Sequence, residues 1–91
     1  MSTVLMNQFG VTLTDREDGK KAFSQIYDNY PVPIILDFHE VISLGSSFGE
    51  EVILKIAPLQ GNTITIKNTN GVIKNSLRRI VEDTDIIITF L

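Results

Sequence analysis

The sequence contains no cysteine, and its only histidine is His39. Without cysteine the chain has no disulfide bond, thiolate metal site or thiol nucleophile. No apolar run approaches the ~18 residues of a membrane span, and no charged and apolar leader opens the chain, so we expect a cytoplasmic protein without a membrane segment. Basic residues are scattered, with only Arg78 and Arg79 adjacent, and the net charge of −3 argues against binding to nucleic acid.

The composition is that of a single small globular domain. The 91 residues are 43% hydrophobic and 21% charged, and no low-complexity tract interrupts them. We therefore predict one domain over residues 1–91, built around one hydrophobic core.

The spacing of apolar residues predicts strands that alternate with helices. Predicted strands cover residues 3–8, 11–13, 32–38, 62–67 and 86–91, and predicted helices lie between Thr14 and Pro31, from Ser46 or Ser47 to Pro58, and after Gly71. The order ββαβαβαβ predicts an α/β fold with a mixed, mostly parallel sheet of four to five strands and three helices. Residues 32–38 do not alternate, which is typical of an interior strand covered on both faces.

Capping residues are predicted at the starts of the first two helices. Thr14 and Glu17 have the spacing of a capping box. At the second helix the cap is either Ser46 or Ser47, and Glu50 and Glu51 are expected in the first turn, where they would complement the helix dipole.

The segment from Asp37 to Glu51 is the candidate functional region, because ligands and partners of such sheets meet the loops at the carboxyl ends of strands. The candidate contact residues are Asp37, His39, Gly45, Ser46, Ser47, Phe48, Glu50 and Glu51. A hydroxyl of Ser46 or Ser47 that does not serve as a cap is a candidate phosphoacceptor. The added charge of about −1.5 to −2 would act there as a local switch.

Patterns typical of enzymes and metal sites are scarce. Asp37 and His39 are the only residues that suggest an acid–base pair, and no serine lies in a nucleophile elbow. The loop before the second helix lacks the lysine of a Walker motif, and its carboxylates match no known oxygen-ligand loop. We therefore predict no catalytic residue, no metal and no cofactor.

Several motifs together resemble the STAS domains of anti-sigma factor antagonists, and more closely an uncharacterised bacterial STAS-like family. They are Thr14-Asp15-Arg16-Glu17, Leu36-Asp37-Phe38, Ser46-Ser47-Phe48-Gly49-Glu50-Glu51 and Asn68-Thr69-Asn70. The antagonists have an Asp-Ser-Ser-Gly turn, and here Gly45 stands in place of the Asp and Phe48 in place of the Gly. The resemblance implies that Ser46 is the phosphorylated serine and that a histidine-kinase-like ATPase is the partner.

These observations predict a non-enzymatic regulatory module of bacterial signalling that binds a protein partner and is switched by serine phosphorylation at the start of the second helix. The alternative is a module that binds a small anion or a nucleotide at the same helix start. The chain ends on a predicted strand in place of the final helix of STAS domains. An apolar surface is therefore expected there for a partner or for a second copy in a homodimer.

Overall fold

A computed structural model describes all 91 residues. In chain order the elements are β1 (Ser2–Leu5), β2 (Thr12–Leu13), α1 (Arg16–Asn29), β3 (Ile34–Asp37), β4 (Ser43–Leu44), α2 (Ser46–Ile56), β5 (Thr63–Lys67), α3 (Gly71–Ile80) and β6 (Ile87–Phe90). Short 3-10 helices follow β1 at Met6–Phe9 and α2 at Ala57–Gln60. None of the helices combines the length and the apolar character that crossing a bilayer requires.

Four strands form the main sheet in the order β1-β3-β5-β6, and each neighbouring pair is parallel. The predicted α/β fold with three helices is thus confirmed. The order advances in one direction across the sheet, so right-handed crossovers place all three helices on the same face. The strand register is consistent with this placement of the helices. Val4, Leu36 and Ile66 lie side by side and are all fully buried beneath them.

The opposite face of the sheet has no covering layer. One row across it consists of Thr3, Ile35, Thr65 and Thr89. β3 is an interior strand, as predicted, but the expectation that it is covered on both faces is wrong, since Ile35 is only half-buried on this side. Because β3 is apolar on both sides, its sequence does not indicate that only one face is covered.

A second, two-stranded sheet joins β2 to β4 in parallel. The sequence predicted β2 but not β4, whose two residues are too few to give a periodic signal. The backbone N–H of Ile42 donates to the carbonyl of Val11 at 2.7 Å, and that of Gly45 donates to the carbonyl of Leu13 at 2.8 Å. This small sheet holds the segments that precede α1 and α2 side by side.

The first strand is shorter than predicted. Pairing between β1 and β3 ends where Leu5 meets Asp37, and the chain then turns into the 3-10 helix, in which Met6 is fully buried. The side chain of Gln8 donates to the carbonyl of Leu5 at 2.9 Å and stabilises this turn. Local β propensity does not predict where β1 ends, because that end depends on where its partner β3 ends.

The helix faces predicted from the spacing of apolar residues supply half of the 20 buried core residues. The residues of these faces that are buried are Ala22, Ile26, Phe48, Val52, Ile53, Ile56, Ala57, Ile73, Leu77 and Ile80. α1 approaches α2 closely at Gly19, where a Cβ atom would lie 2.9 Å from the carbonyl oxygen of Phe48 and 3.0 Å from its Cα. Glycine is less favourable in a helix than alanine by roughly 1 kcal/mol, but at this position it allows the two helices to pack closely.

Candidate functional site

α2 begins without a side-chain cap. Its N-cap is Gly45, in an extended conformation, and Ser46 and Ser47 are the first two residues of the helix. The predicted serine cap is therefore wrong. The hydrogen bond from Gly45 to the carbonyl of Leu13 keeps the chain extended as far as Gly45, so both serines fall inside the first turn. Ser46 is exposed and Ser47 is half-buried.

Gly45 is packed tightly against Thr14. A Cβ atom at this position would lie 3.1 Å from the Cα of Thr14, so the aspartate of the antagonist turn would press on that backbone. Thr14 also does not cap α1. The cap is Asp15, whose carboxylate accepts from the N–H of Asp18 at 3.0 Å, so the capping box predicted at Thr14 and Glu17 is wrong.

Phe48 belongs to the core. Its side chain is 1% exposed, and its backbone is covered by Gly19 of α1. Among the candidate contact residues, Asp37 and Glu51 are also buried. The accessible candidate contact residues are His39, Gly45, Ser46, Ser47 and Glu50.

Glu50 and Glu51 join α2 to α1 through Arg16. The guanidinium donates to Glu51 Oε2 at 2.7 Å and to Glu50 Oε1 at 2.8 Å, while Lys55 Nζ lies 2.6 Å from Glu51 Oε1. Hydrogen bonds from Lys55 and Arg16 lower the pKa of Glu51, and the two carboxylates raise the pKa of Arg16. The expected placement of both acids in the first turn is wrong, since no acid lies there.

Asp37 anchors the loop that follows β3. Its Oδ1 accepts from the backbone N–H of His39 and from Asn68 Nδ2, both at 2.9 Å. Burial raises the pKa of Asp37, but hydrogen bonds from Asn68 and His39 and the charge of Lys67 lower it by more, so the pKa is lowered overall. The carboxylate thus ties β3 to the segment after β5.

Asp37 and His39 do not form the acid–base pair that their spacing suggested. The chain turns sharply after β3, with Glu40 in the left-handed region at φ 65°. The imidazole is exposed, and its Nε2 lies 3.6 Å from Glu40 Oε1. No three or more His, Asp or Glu side chains are grouped so that they could hold a metal ion.

Three exposed apolar side chains near the start of α2 were not predicted from the sequence. Val11 is 48% exposed, Ile42 63% and Val72 60%. The backbones of Val11 and Ile42 are hydrogen-bonded, and Asn70 Nδ2, two residues before Val72, donates to the carbonyl of Ile42 at 3.1 Å. We call Val11, Ile42, Ser46 and Val72 the α2-start surface. The pairing of β2 with β4 brings Val11 to Ile42, and the hydrogen bond from Asn70 brings the start of α3 to Ile42.

The cavities of the domain lie away from Ser46. The largest, about 610 Å³, is a shallow polar depression along α1 that includes Phe9 and Gln25. A smaller apolar one of about 210 Å³ lies between Tyr27 and Leu59, and a third of about 390 Å³ lies beside Arg79 on α3. The accessible candidate residues therefore lie on a surface with no deep cavity.

Comparison with protein families identifies a matching family. The model of the family described as "STAS-like domain of unknown function (DUF4325)" matches residues 18–74. The chain belongs to this family. The match begins in the first turn of α1 and ends in the first turn of α3, so it contains the loop after β3 and all of α2 in this STAS-like domain.

The resemblance inferred from the motifs is confirmed at the level of this family. No curated protein and no solved structure matches the STAS-like domain.

Proposed function

We propose that this STAS-like domain is a non-enzymatic regulatory module of the bacterial cytoplasm that binds a protein partner through the α2-start surface. The observation that carries the proposal is that exposed Val11, Ile42 and Val72 belong to segments joined by hydrogen bonds at Ile42, four residues before exposed Ser46. Exposed apolar groups that lie together usually mark an interaction site. A surface without a deep cavity suits a protein partner better than an enclosed small substrate.

Ser46 is the proposed switch of this surface. Its side chain is exposed at the first position of α2, and Glu50 lies one turn further along the same helix face. A phosphate on Ser46 would gain from the helix dipole, but it would repel Glu50 and compete with it for Arg16. It would also place a strongly hydrated charge beside the apolar contacts, which would release the partner.

The partner class that the STAS resemblance implies is a histidine-kinase-like ATPase. Such a partner would both bind the α2-start surface and phosphorylate Ser46. Ser47 is the second candidate acceptor, but its half-buried position makes it less accessible than Ser46.

Variants of the α2-start surface test the proposal. The partner is isolated by affinity capture from an extract of the native host, and the captured ATPase is then titrated against each protein. The wild type should bind it, and Ile42→Asp and Ser46→Asp should bind at least about tenfold more weakly. Each of these changes places a charge in a desolvated contact. Val32→Asp is the matched control, since Val32 is 50% exposed at the opposite end of the strands. Equal affinities of all four proteins would remove this surface as the contact. The intact mass of the native protein would show whether it carries a phosphate.

The alternative function is capture of a small anion or nucleotide by the uncapped amides of α2. The absence of a side-chain cap favours it, since free amides at a helix start attract anions. Glu50 near this helix start opposes it. We expect no change in melting temperature with phosphate or nucleotides, whereas a ligand at 100 times its Kd would stabilise the domain by about 2.7 kcal/mol. A saturable stabilisation that Ser46→Asp abolishes would favour the anion site instead.

A further inference from the structure

The outer edge of β6 is open. β6 pairs with β5 on one side and has no neighbouring strand on the other. The N–H groups of Ile87 and Leu91 donate to the β5 side, each at 2.9 Å. In a parallel ladder alternate residues direct their backbone groups to opposite sides. The N–H and C=O groups of Ile88 and Phe90 therefore point away from the sheet.

This edge lacks the features that usually protect edge strands, which are a charge, a proline, a bulge or a covering element. β6 has the sequence Ile-Ile-Thr-Phe, with Ile87 65% exposed and Ile88 and Phe90 half-buried. The other edge of the sheet differs. On β1 the carbonyl of Leu5 accepts from the side chain of Gln8, and the 3-10 helix follows at once.

Two cations stand beside the open edge. Lys74 Nζ lies 5.6 Å from the centre of the Phe90 ring, and Arg78 Cζ lies 5.7 Å from it. Neither side chain takes part in an ion pair of the structure. Residues 52–81 contain no Asp or Glu. The acids of residues 82–85 lie in the connection that leads into the start of β6, where Glu82 lines one surface depression with Arg78. The end of the edge near Phe90 is therefore electropositive.

We propose that β6 is a docking edge for an extended acidic segment of another protein. The segment would add as a further strand, with backbone hydrogen bonds to Ile88 and Phe90, and its carboxylates would pair with Lys74 and Arg78. Backbone pairing supplies the affinity, and the two cations supply the selection for acidic sequences. This site is separate from the α2-start surface and does not depend on the function proposed there.

Charge complementarity favours an acidic strand as the occupant, because Lys74 and Arg78 lie beside Phe90 without an ion pair. Two copies that paired their β6 strands about a two-fold axis would be antiparallel, so the Phe90 end of one strand would lie opposite the start of the other. The acids of residues 82–85 would then lie beyond the end of the paired strands, whereas an acidic strand places its carboxylates level with Phe90. A second copy is the competing occupant that a sedimentation experiment distinguishes.

A synthetic peptide with a defined pattern tests the docking edge. The probe is a fluorescein-labelled Thr-Val-Thr-Glu-Thr-Glu-Thr peptide, whose Val and Glu side chains share the face that meets Phe90 in a strand. Fluorescence anisotropy should show saturable binding by the wild-type domain that weakens with added salt. The same peptide with Lys in place of Glu should bind at least about tenfold more weakly.

Changes on each side of the contact separate charge from backbone pairing. Lys74→Glu with Arg78→Glu should weaken binding of the Glu peptide by at least about tenfold, whereas Lys20→Glu with Lys21→Glu on α1, an equal change in charge, should leave it unaltered. N-methylation of the peptide amides that face β6 should abolish binding, and methylation of the alternate amides should preserve it. The methylated peptides test the pairing even if the charge-reversed protein does not fold.

The proposal is overturned by any of three results. The first is the absence of saturable binding up to about 1 mM peptide, where only very weak complexes form. The second is equal binding of the Glu and Lys peptides or of the two methylated peptides. The third is a dimer in sedimentation experiments that the Glu peptide does not dissociate, which would make a second copy the occupant of the edge.

Discussion

Phe48→Ala is expected to lower the free energy of unfolding by about 3–5 kcal/mol, the range for truncation of a buried phenylalanine. Phe48 is 1% exposed, and it lies under α1 at the point where Gly19 allows the two helices to meet. Domains of this kind are stable by roughly 5–15 kcal/mol in total, so the loss is a large share of the whole. Urea denaturation followed by circular dichroism measures it.

The matched control for Phe48→Ala is Ile42→Ala. Ile42 is an apolar residue of the same segment but is 63% exposed, so its truncation should change stability by less than about 0.5 kcal/mol. Similar losses in the two variants would contradict the assignment of Phe48 to the core. The distinction matters for binding experiments. Loss of partner binding in Phe48→Ala would result from unfolding, whereas loss of binding in Ile42→Asp would result from a disrupted contact.

Asp37→Ala is expected to lower the free energy of unfolding by about 1.5–3 kcal/mol at neutral pH. The change removes a charged carboxylate and leaves its two hydrogen-bond donors without an acceptor. Asp37 is 7% exposed, and it accepts from both His39 N–H and Asn68 Nδ2. Denaturant titrations of wild type and variant at neutral pH measure the difference. Asp83→Ala is the control, since the exposed carboxylate of Asp83 makes no hydrogen bond in the structure and its loss should have little effect.

The Asp37 effect should depend on pH. The pKa of Asp37 is lowered in the folded domain, so its contribution is fully present above the unfolded pKa of about 3.9 and is lost as pH falls through the lower folded value. The stability difference between wild type and Asp37→Ala should therefore remain constant from neutral pH down to about pH 5 and shrink below pH 4. A difference that grows as the pH is lowered would contradict the role of the carboxylate.

Most of the fold could be predicted because the helices and β5 have periodic apolar patterns and β3 has a continuous apolar run. The burial of Ile64 and Ile66 in β5 and the core face of α3 follow directly from spacing. The features that escaped prediction depend on partners distant in the sequence. β4 exists because β2 lies beside it, and the end of β1 is set by the end of β3.

The candidate site was predictable in location but not in detail. Residues 37–51 do reach the carboxyl end of the sheet, as parallel strands require. Which side chains are accessible there depends on contacts that the local sequence does not contain. Phe48 is hidden by α1, Ser46 is displaced from the cap by the bond between Gly45 and Leu13, and Ile42 becomes part of a surface only beside Val11.

The one-directional order of the sheet has an electrostatic consequence. α1, over the β1 side, carries as many basic as acidic residues, whereas α3, over the β6 side, carries Lys74, Arg78 and Arg79 and no acid. The domain therefore has a local positive field at α3 although its net charge is negative, and the acids of residues 82–85 confine that field to the helix. A partner with carboxylates that approaches α3 is oriented by this field before any contact forms.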